Sequence, residues 1–372
     1  MTHVAMISRS YPTDEYQTSG IFEADYAHAL ARAGLQVSFL AVDMRSFRRK
    51  RRFGLRVEEK QGITIYRIDW PVGAIPKRLF YRLSFMALTK VWDAMLKREG
   101  RPDLIHTMFT DYAVLGAMMK EKTGVPLYMT ENFSHINTDP IHPDLKRAAE
   151  YAYPLADVIQ TVSPAFQKRL KNVFGVDSVD IPNLPDLRLF NHSDQPKEKL
   201  LVSTGLREEK GTPELVEAFS RLKDDYPALR LEIFGGGELF HSLNQSIKQK
   251  GLADRVFLHG SVDRSVIAET YKRASWFALC SHHETFGLAY VEAWASGLPV
   301  LGTRCGGPEH YFTEDNGILV PVGDIPAIEN GLRALMQKEY DRQQIAQKAH
   351  EAFSEARIIG QIQAQYNRIL KK

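Results

Sequence analysis

Two carboxylates eight residues apart, Glu284 and Glu292, have the clearest chemical use in this chain. They close the run Glu284-Thr-Phe-Gly-Leu-Ala-Tyr-Val-Glu292. The apolar segment Trp276–Cys280 before it reads as a strand that ends in polar Ser281-His-His-Glu284. Gly287 then opens a pattern with Leu288, Val291, Ala295 and Leu298 on one face, which predicts a helix. Glu284 is therefore expected in the strand-to-helix loop, and Glu292 more than a turn into the helix. A carboxylate beside a helix N-terminus accepts hydrogen bonds from sugar hydroxyls, while the free N–H groups of that helix end hold a phosphate. One element thus offers hydroxyl acceptors and an anion site together, the combination a nucleotide-sugar requires.

Other loops supply matching chemistry. Lys210 and Arg207 lie in Thr204-Gly-Leu-Arg207-Glu-Glu-Lys210-Gly211, after the strand that opens the second half and before a helix starting near Pro213. There they would neutralise a diphosphate, each charged hydrogen bond contributing roughly 1.5–3 kcal/mol. Gly20, in Thr18-Ser-Gly20-Ile-Phe, allows backbone to approach an anion; a loop glycine needed for its dihedrals is the plainer alternative. Gly235-Gly-Gly237 lacks the Gly-x-Gly-x-x-Gly spacing of a dinucleotide site, and Gly306-Gly307 is equally compatible with a tight turn. His282 and His283 have no third ligand at zinc spacing, and the chain contains no Asp-x-Asp. The expectation is a site without metal or other cofactor.

The elements that must position these residues are legible from end to end. Short apolar runs (Val4–Ser8, Val37–Val42, Ile63–Ile68, Leu104–Met108, Leu127–Thr130, Val158–Val162) alternate with helical patterns such as Gly20–Ala33 and Tyr112–Lys122. Leu200–Thr204, Leu231–Phe234, Val256–Leu258, Trp276–Cys280, Pro299–Gly302 and Ile318–Val320 repeat the arrangement. Such alternation predicts α/β architecture, with parallel sheets covered by helices on both faces and ligands beyond the C-terminal strand ends. A polar, proline-containing stretch within Ile181–Lys199 reads as a linker. The expected domains are 1–185 and 186–357, both doubly wound and facing a cleft. The helix pattern at Ile358–Leu370 has no strand after it and is free to pack elsewhere.

Length, 44% hydrophobic and 25% charged residues fit a soluble two-domain protein. No stretch of eighteen apolar residues exists, and the N-terminus lacks a secretory pattern. Two cysteines, Cys280 and Cys305, are too few for a disulfide framework and read as buried apolar residues. A cytoplasmic location is expected.

Taken in order, these motifs resemble glycosyltransferase family 4, retaining enzymes of the GT-B fold. The likeness spans nearly the whole chain. It includes the Gly20 loop, Pro102-Asp-Leu-Ile-His106, Ala156–Ser163, Ile181-Pro-Asn183 with Phe190, Lys210-Gly211, Gly235–Gly237, Val256–Gly260 and the paired glutamates. The resemblance implies two Rossmann-like domains, the first binding acceptor and the second the nucleotide-sugar, with helix 358–372 returning to the first. It implies that Glu284 binds donor-sugar hydroxyls and Glu292 the ribose. The backbone at Phe286, Gly287 and Leu288 would receive sugar and distal phosphate. Lys210 would hold the diphosphate, and Gly20 would approach it from the other domain. The family's usual arginine position, aligned on Lys210, holds Gly205, so Arg207 is the substitute candidate. Its usual histidine is replaced by Asn132, which hydrogen-bonds a hydroxyl but cannot carry a proton.

The implied reaction is transfer of a sugar from a UDP- or GDP-type donor to a hydroxyl of a glycan, lipid-linked or small-molecule acceptor, in cell-surface polysaccharide or glycolipid synthesis. The basic run Arg45–Arg52, with Phe47 and Phe53, and the amphipathic segment Lys77–Leu88 suit an anionic membrane surface, hence peripheral attachment to the inner face. Beyond the two phenylalanines they supply no stacking motif for nucleic acid, which is not an expected partner. The rival readings are a non-catalytic GT-B partner subunit of a transferase, and a GT-B phosphorylase or epimerase.

Overall fold

The computed structural model describes residues 1–16, 19–44, 53–72 and 75–371. The chain divides into two compact units, one formed by Met1–Leu184 with Glu355–Lys372 and the other by Pro185–Ser354. The basic run Arg45–Arg52 lies outside the described residues.

The first unit is built on the strands β1 (His3–Ser8), β2 (Gln36–Asp43), β3 (Gly54–Lys60), β4 (Ile63–Asp69), β5 (Leu104–Met108), β6 (Leu127–Glu131), β7 (Val158–Thr161) and β8 (Val179–Asp180). They form one sheet in the order β3-β4-β2-β1-β5-β6-β7-β8. β1, β5 and β6 are buried at every residue, as parallel strands covered on both faces must be. Strand order reverses at β1 and β5, so the loops after β1, β5 and β6 surround a switch point.

β3 departs from the expected all-parallel sheet. It pairs antiparallel with β4 through the two-residue turn Gln61-Gly62, both at positive φ (47° and 83°), as hairpin twist demands. Its Phe53, Leu55 and Val57 are exposed at the sheet edge, so no continuous apolar run announced it. The short edge strand β8 likewise carried no such signal.

The C-terminal helix Glu355–Leu370 belongs to this same unit. Ile358, Ile359, Ile362 and Tyr366, at helical spacing, are buried. Tyr366 OH lies 2.6 Å from His106 Nδ1, and His106 Nε2 lies 2.9 Å from Thr130 Oγ1. Burial pushes His106 down to about 3, so its neutral ring serves the two hydroxyls with one donor and one acceptor. Arg32 grips Glu355 at the start of the helix through two bonds of 2.8 and 2.5 Å.

The second unit is a purely parallel sheet of β9 (Leu200–Thr204), β10 (Arg230–Phe234), β11 (Val256–Gly260), β12 (Trp276–Leu279), β13 (Val300–Thr303) and β14 (Gly317–Val320). The order is β11-β10-β9-β12-β13-β14, with the switch point between β9 and β12. Leu201, Leu231, Ile233, Ala278 and Leu301 from the strands and Leu215, Phe219 and Leu332 from the helices make one core. That core fixes where the strands end, and the strand ends carry the site.

Candidate active site

Lys210 and Glu284 come from the two strands that flank the switch point of the second unit. β9 leads into Gly205–Gly211, and β12 leads into Cys280–Gly287. The two loops are stitched together: the His282 amide donates to the Glu209 carbonyl at 2.8 Å, and His282 Nε2 lies 2.8 Å from Glu214 Oε1. Gly211 makes the approach possible. Its φ is +61°, and a Cβ there would sit 1.9 Å from the Cys280 carbonyl oxygen. Lys210 Nζ consequently reaches Glu284 Oε1 at 2.7 Å. The Ser281 hydroxyl donates to the same oxygen at 2.9 Å. The lysine side chain is 28% exposed and the glutamate 11%, so the pair sits at the margin between protein and solvent.

Behind Glu284, the β13 loop closes the floor. The Gly307 amide donates to the Glu284 carbonyl at 3.1 Å. The helix Leu288–Ala295 starts directly after, capped by Gly287 at φ 87° with no side-chain cap. Its first N–H groups are therefore left for a ligand or water. Phe286 is buried edge-on to Tyr311 and Phe353, which holds the backbone of Phe286, Gly287 and Leu288 in place.

Glu292 sits on this helix, 16% exposed at its side chain. Its Oε1 accepts from Arg264 Nη2 at 2.5 Å, and the same amine donates to the Asp186 carbonyl at 3.2 Å. Burial raises the Glu292 carboxyl above its ordinary range, with Arg264 opposing. Arg264 was not singled out from sequence. Its only local signal is Asp263, which caps the helix Arg264–Arg273.

Arg207 is two-thirds exposed, and its guanidinium lies 3.9 Å from Glu209, a pair of surface strength. The usual arginine position is closed to a side chain here, because a Cβ on Gly205 would meet Lys210 Cγ at 2.7 Å.

In the first unit, Gly20 caps the helix Ile21–Arg32 at φ 77°, and a Cβ there would lie 2.0 Å from the Ser10 carbonyl oxygen. Loop packing alone therefore requires glycine at this position. Asn132 follows β6 and is buried. Its Nδ2 donates to Asn183 Oδ1 at 3.2 Å, while its Oδ1 has no hydrogen-bond partner among the described residues. Glu131 beside it is fully buried, taking Thr110 Oγ1 at 2.5 Å, Tyr153 OH at 2.9 Å and the Phe133 amide at 2.8 Å. Burial pushes its carboxyl up to about 7, against those hydrogen bonds. Phe109, after β5, holds φ 66°, an uncommon conformation of the kind found at functional loops, with the Arg9 guanidinium 5.3 Å from its ring centre.

Among the described residues, no group of three His, Cys, Asp or Glu is placed to hold a metal ion. Cys280 is buried and its thiol is pushed above its ordinary range by burial; Cys305 rises to about 12 for the same reason.

Comparison with known proteins decides the family. Residues 186–352 match the model of glycosyl transferases group 1, and residues 23–187 match that of glycosyltransferase family 4. This chain belongs to glycosyltransferase family 4. It is a glycosyltransferase, and its two parallel-sheet α/β units are those of the GT-B fold. It is 25% identical over 307 residues to N-acetyl-alpha-D-glucosaminyl L-malate synthase of Bacillus anthracis, covering 77% of this chain and 80% of that protein. It is 24% identical to the putative teichuronic acid biosynthesis glycosyltransferase TuaC of Bacillus subtilis, covering 94% and 92%. Among solved structures, sucrose-phosphate synthase of Thermosynechococcus elongatus superposes with a TM-score of 0.80 at 19% identity, covering both chains fully. HepE of Anabaena, solved with UDP and glucose, gives 0.74 at 17% identity, covering 99% of this chain and all of that one. At these identities the structural likeness speaks for fold alone.

Proposed function

We propose that this glycosyltransferase moves a sugar from a UDP- or GDP-sugar to a hydroxyl of a glycan, lipid-linked or small-molecule acceptor with retention of anomeric configuration, in cell-surface polysaccharide or glycolipid synthesis. The observation that carries the reading is the 2.7 Å pair of Lys210 and Glu284 at the β9/β12 switch point, beside the open N-terminus of the helix Leu288–Ala295. Lys210 and the helix N–H groups would stabilise the charge that develops on the departing diphosphate. Glu284 would hold the donor sugar and Glu292 the ribose, the latter competing with Arg264. Asn132 Oδ1 would accept from a sugar hydroxyl, and Gly20 would pass close to the donor phosphate. Arg207 is assigned a supporting contact with the diphosphate. No step needs a metal or other cofactor. The relatives' names, which include a UDP-and-glucose complex and a teichuronic acid enzyme, support a nucleotide-sugar donor and a glycan acceptor.

The test is a thermal-shift screen over nucleotide-sugars, followed by proton NMR of the product made from the donor that stabilises most. Retention is expected: an axial anomeric bond in the donor remains axial in the product. An inverted product would overturn the mechanism, and release of free sugar with every acceptor offered would overturn the transferase assignment.

The proposed setting is the cytoplasmic membrane surface. Among the described residues no helix is long and apolar enough to cross a membrane. The helix Lys77–Glu99 exposes Leu79 and Met86 among Arg78, Arg82 and Lys90. Glu59, on the β3 face bearing the exposed Phe53, Leu55 and Val57, pairs with Arg98 of that helix. Flotation with vesicles containing phosphatidylglycerol is expected to carry the protein, with binding lost at high salt and weakened by about 1 kcal/mol for each of Arg78 and Arg82 changed to Gln. Equal flotation with neutral vesicles would remove the electrostatic part of this reading.

A further inference from the structure

A second pocket, in the first unit, lies on the face of the β3–β4 hairpin. Its volume is about 500 Å³, within the range of small-ligand sites. Strand alternation builds its floor: Arg56, Glu58 and Lys60 share one face of β3, and register places Arg56 opposite Arg67 and Glu58 opposite Ile65 on β4. The other wall is the segment from Tyr11 to Tyr16, folded back by the Thr13–Tyr16 backbone pair. Tyr11 is a fixed wall. Its hydroxyl lies 3.0 Å from His28 Nε2, and its ring packs edge-on against Phe39.

Arg67 is the unusual member. Its side chain is 9% exposed, yet its one hydrogen bond among the described residues is Nε to Asp69 Oδ1 at 2.9 Å. The fork of terminal amines, the part that recognises carboxylate or phosphate in two-point fashion, is unused there. Asp69 does not neutralise the floor, because Arg56 binds its other oxygen. Two guanidiniums thus share one buried carboxylate. Lys60 is balanced by Glu58 at 3.6 Å, and the exposed Asp14 and Glu15 stand at the mouth. The terminal amines of Arg67 thus lie at the base of a pocket whose rim is acidic. That pattern admits a single anionic group carried on a hydroxyl-rich body and disfavours a diphosphate. Lys60 Nζ lies 5.6 Å over the Tyr11 ring, and Glu58 and the mouth carboxylates offer hydroxyl acceptors.

We propose that this pocket binds an acidic sugar residue, its carboxylate or phosphate held by the Arg67 fork, and that it selects acidic glycans as acceptors. The binding stands by itself; the selection rests on the transfer reaction proposed above. The experiment is calorimetric titration of the full chain with methyl β-D-glucuronide, glucose 6-phosphate, methyl β-D-glucoside and inorganic phosphate, with UDP and GDP titrated in parallel. At least one acidic sugar is expected to bind about tenfold or more tightly than the glucoside, the value of one charged hydrogen-bonded contact. Which of the two acids gains identifies the anionic group. Arg67→Gln is expected to remove that gain and leave nucleotide affinity unchanged. Glu58→Trp, on a partly exposed strand position, fills the pocket while keeping Arg67 in the chain and is expected to do the same. Equal binding of glucoside and acids, inorganic phosphate matching the sugar phosphate, or retained acid binding in both variants would overturn the proposal. Acid binding that persists in a protein unable to consume any donor would keep the site and discard only its role in transfer.

Discussion

Glu284→Gln is expected to lower turnover by roughly two to three orders of magnitude while nucleotide affinity stays within about threefold. The substitution keeps the shape and leaves an amide oxygen for Lys210 and Ser281. It removes the negative charge that faces Lys210 at 2.7 Å and that would bind donor hydroxyls. Lys210→Ala is the complementary case. It deletes a cation assigned to the diphosphate and leaves a carboxylate only 11% exposed without that partner. Nucleotide Kd is expected to rise about tenfold or more, and turnover to fall with it, because a charged hydrogen bond contributes roughly 1.5–3 kcal/mol. Calorimetric nucleotide titration beside initial rates separates the two. Full activity in Glu284→Gln would sink its catalytic assignment, and unchanged nucleotide affinity in Lys210→Ala would move the phosphate site elsewhere.

Gly211→Ala should be the most damaging single methyl group in the second unit. Two costs combine. A non-glycine residue at φ +61° carries roughly 1 kcal/mol of backbone strain. A Cβ 1.9 Å from the Cys280 carbonyl oxygen then forces two backbone segments apart. The expected loss is about 2–4 kcal/mol, seen as a Tm lower by roughly 5–15 °C. Activity should also vanish in the fraction still folded, since separated loops take Lys210 away from Glu284. Gly323→Ala is the control: φ is +72°, but nothing lies within 4 Å of the added carbon. It should show the strain alone, with activity intact. Matching losses in the two variants would mean that contact with Cys280 plays no part.

The sequence exposed the frame of this site because the frame is made of apolar strands. Trp276–Leu279 and Leu200–Thr204 are short, buried and bounded by polar loops, so their ends, and Glu284 and Lys210 beyond them, were placed by pattern alone. The direct contact between those two residues was not legible. It depends on Gly211 against Cys280, a packing between loops distant in sequence. Arg264 stayed hidden because nothing nearby marks an arginine on an exposed helix as the partner of Glu292. The β3 hairpin was missed because its outer face is exposed, and with it went the pairing of Arg56 with Arg67. Asn132 was reached through the family pattern, while Glu131 beside it went unweighed, since burial of a carboxylate is decided by Thr110 and Tyr153 on other elements.

The lock of Tyr366 on His106 has a consequence for how this protein is made. The strand that carries His106 leaves the ribosome well before Tyr366, the residue that completes its surroundings. Between them the whole second unit must be translated, a delay on the order of ten seconds at ordinary elongation rates. The first unit is therefore completed only after the second has been made. A nascent chain must keep the seat of Ile358, Ile359 and Ile362 uncovered for that interval, and a polypeptide stopped before Ile358 would never fill it.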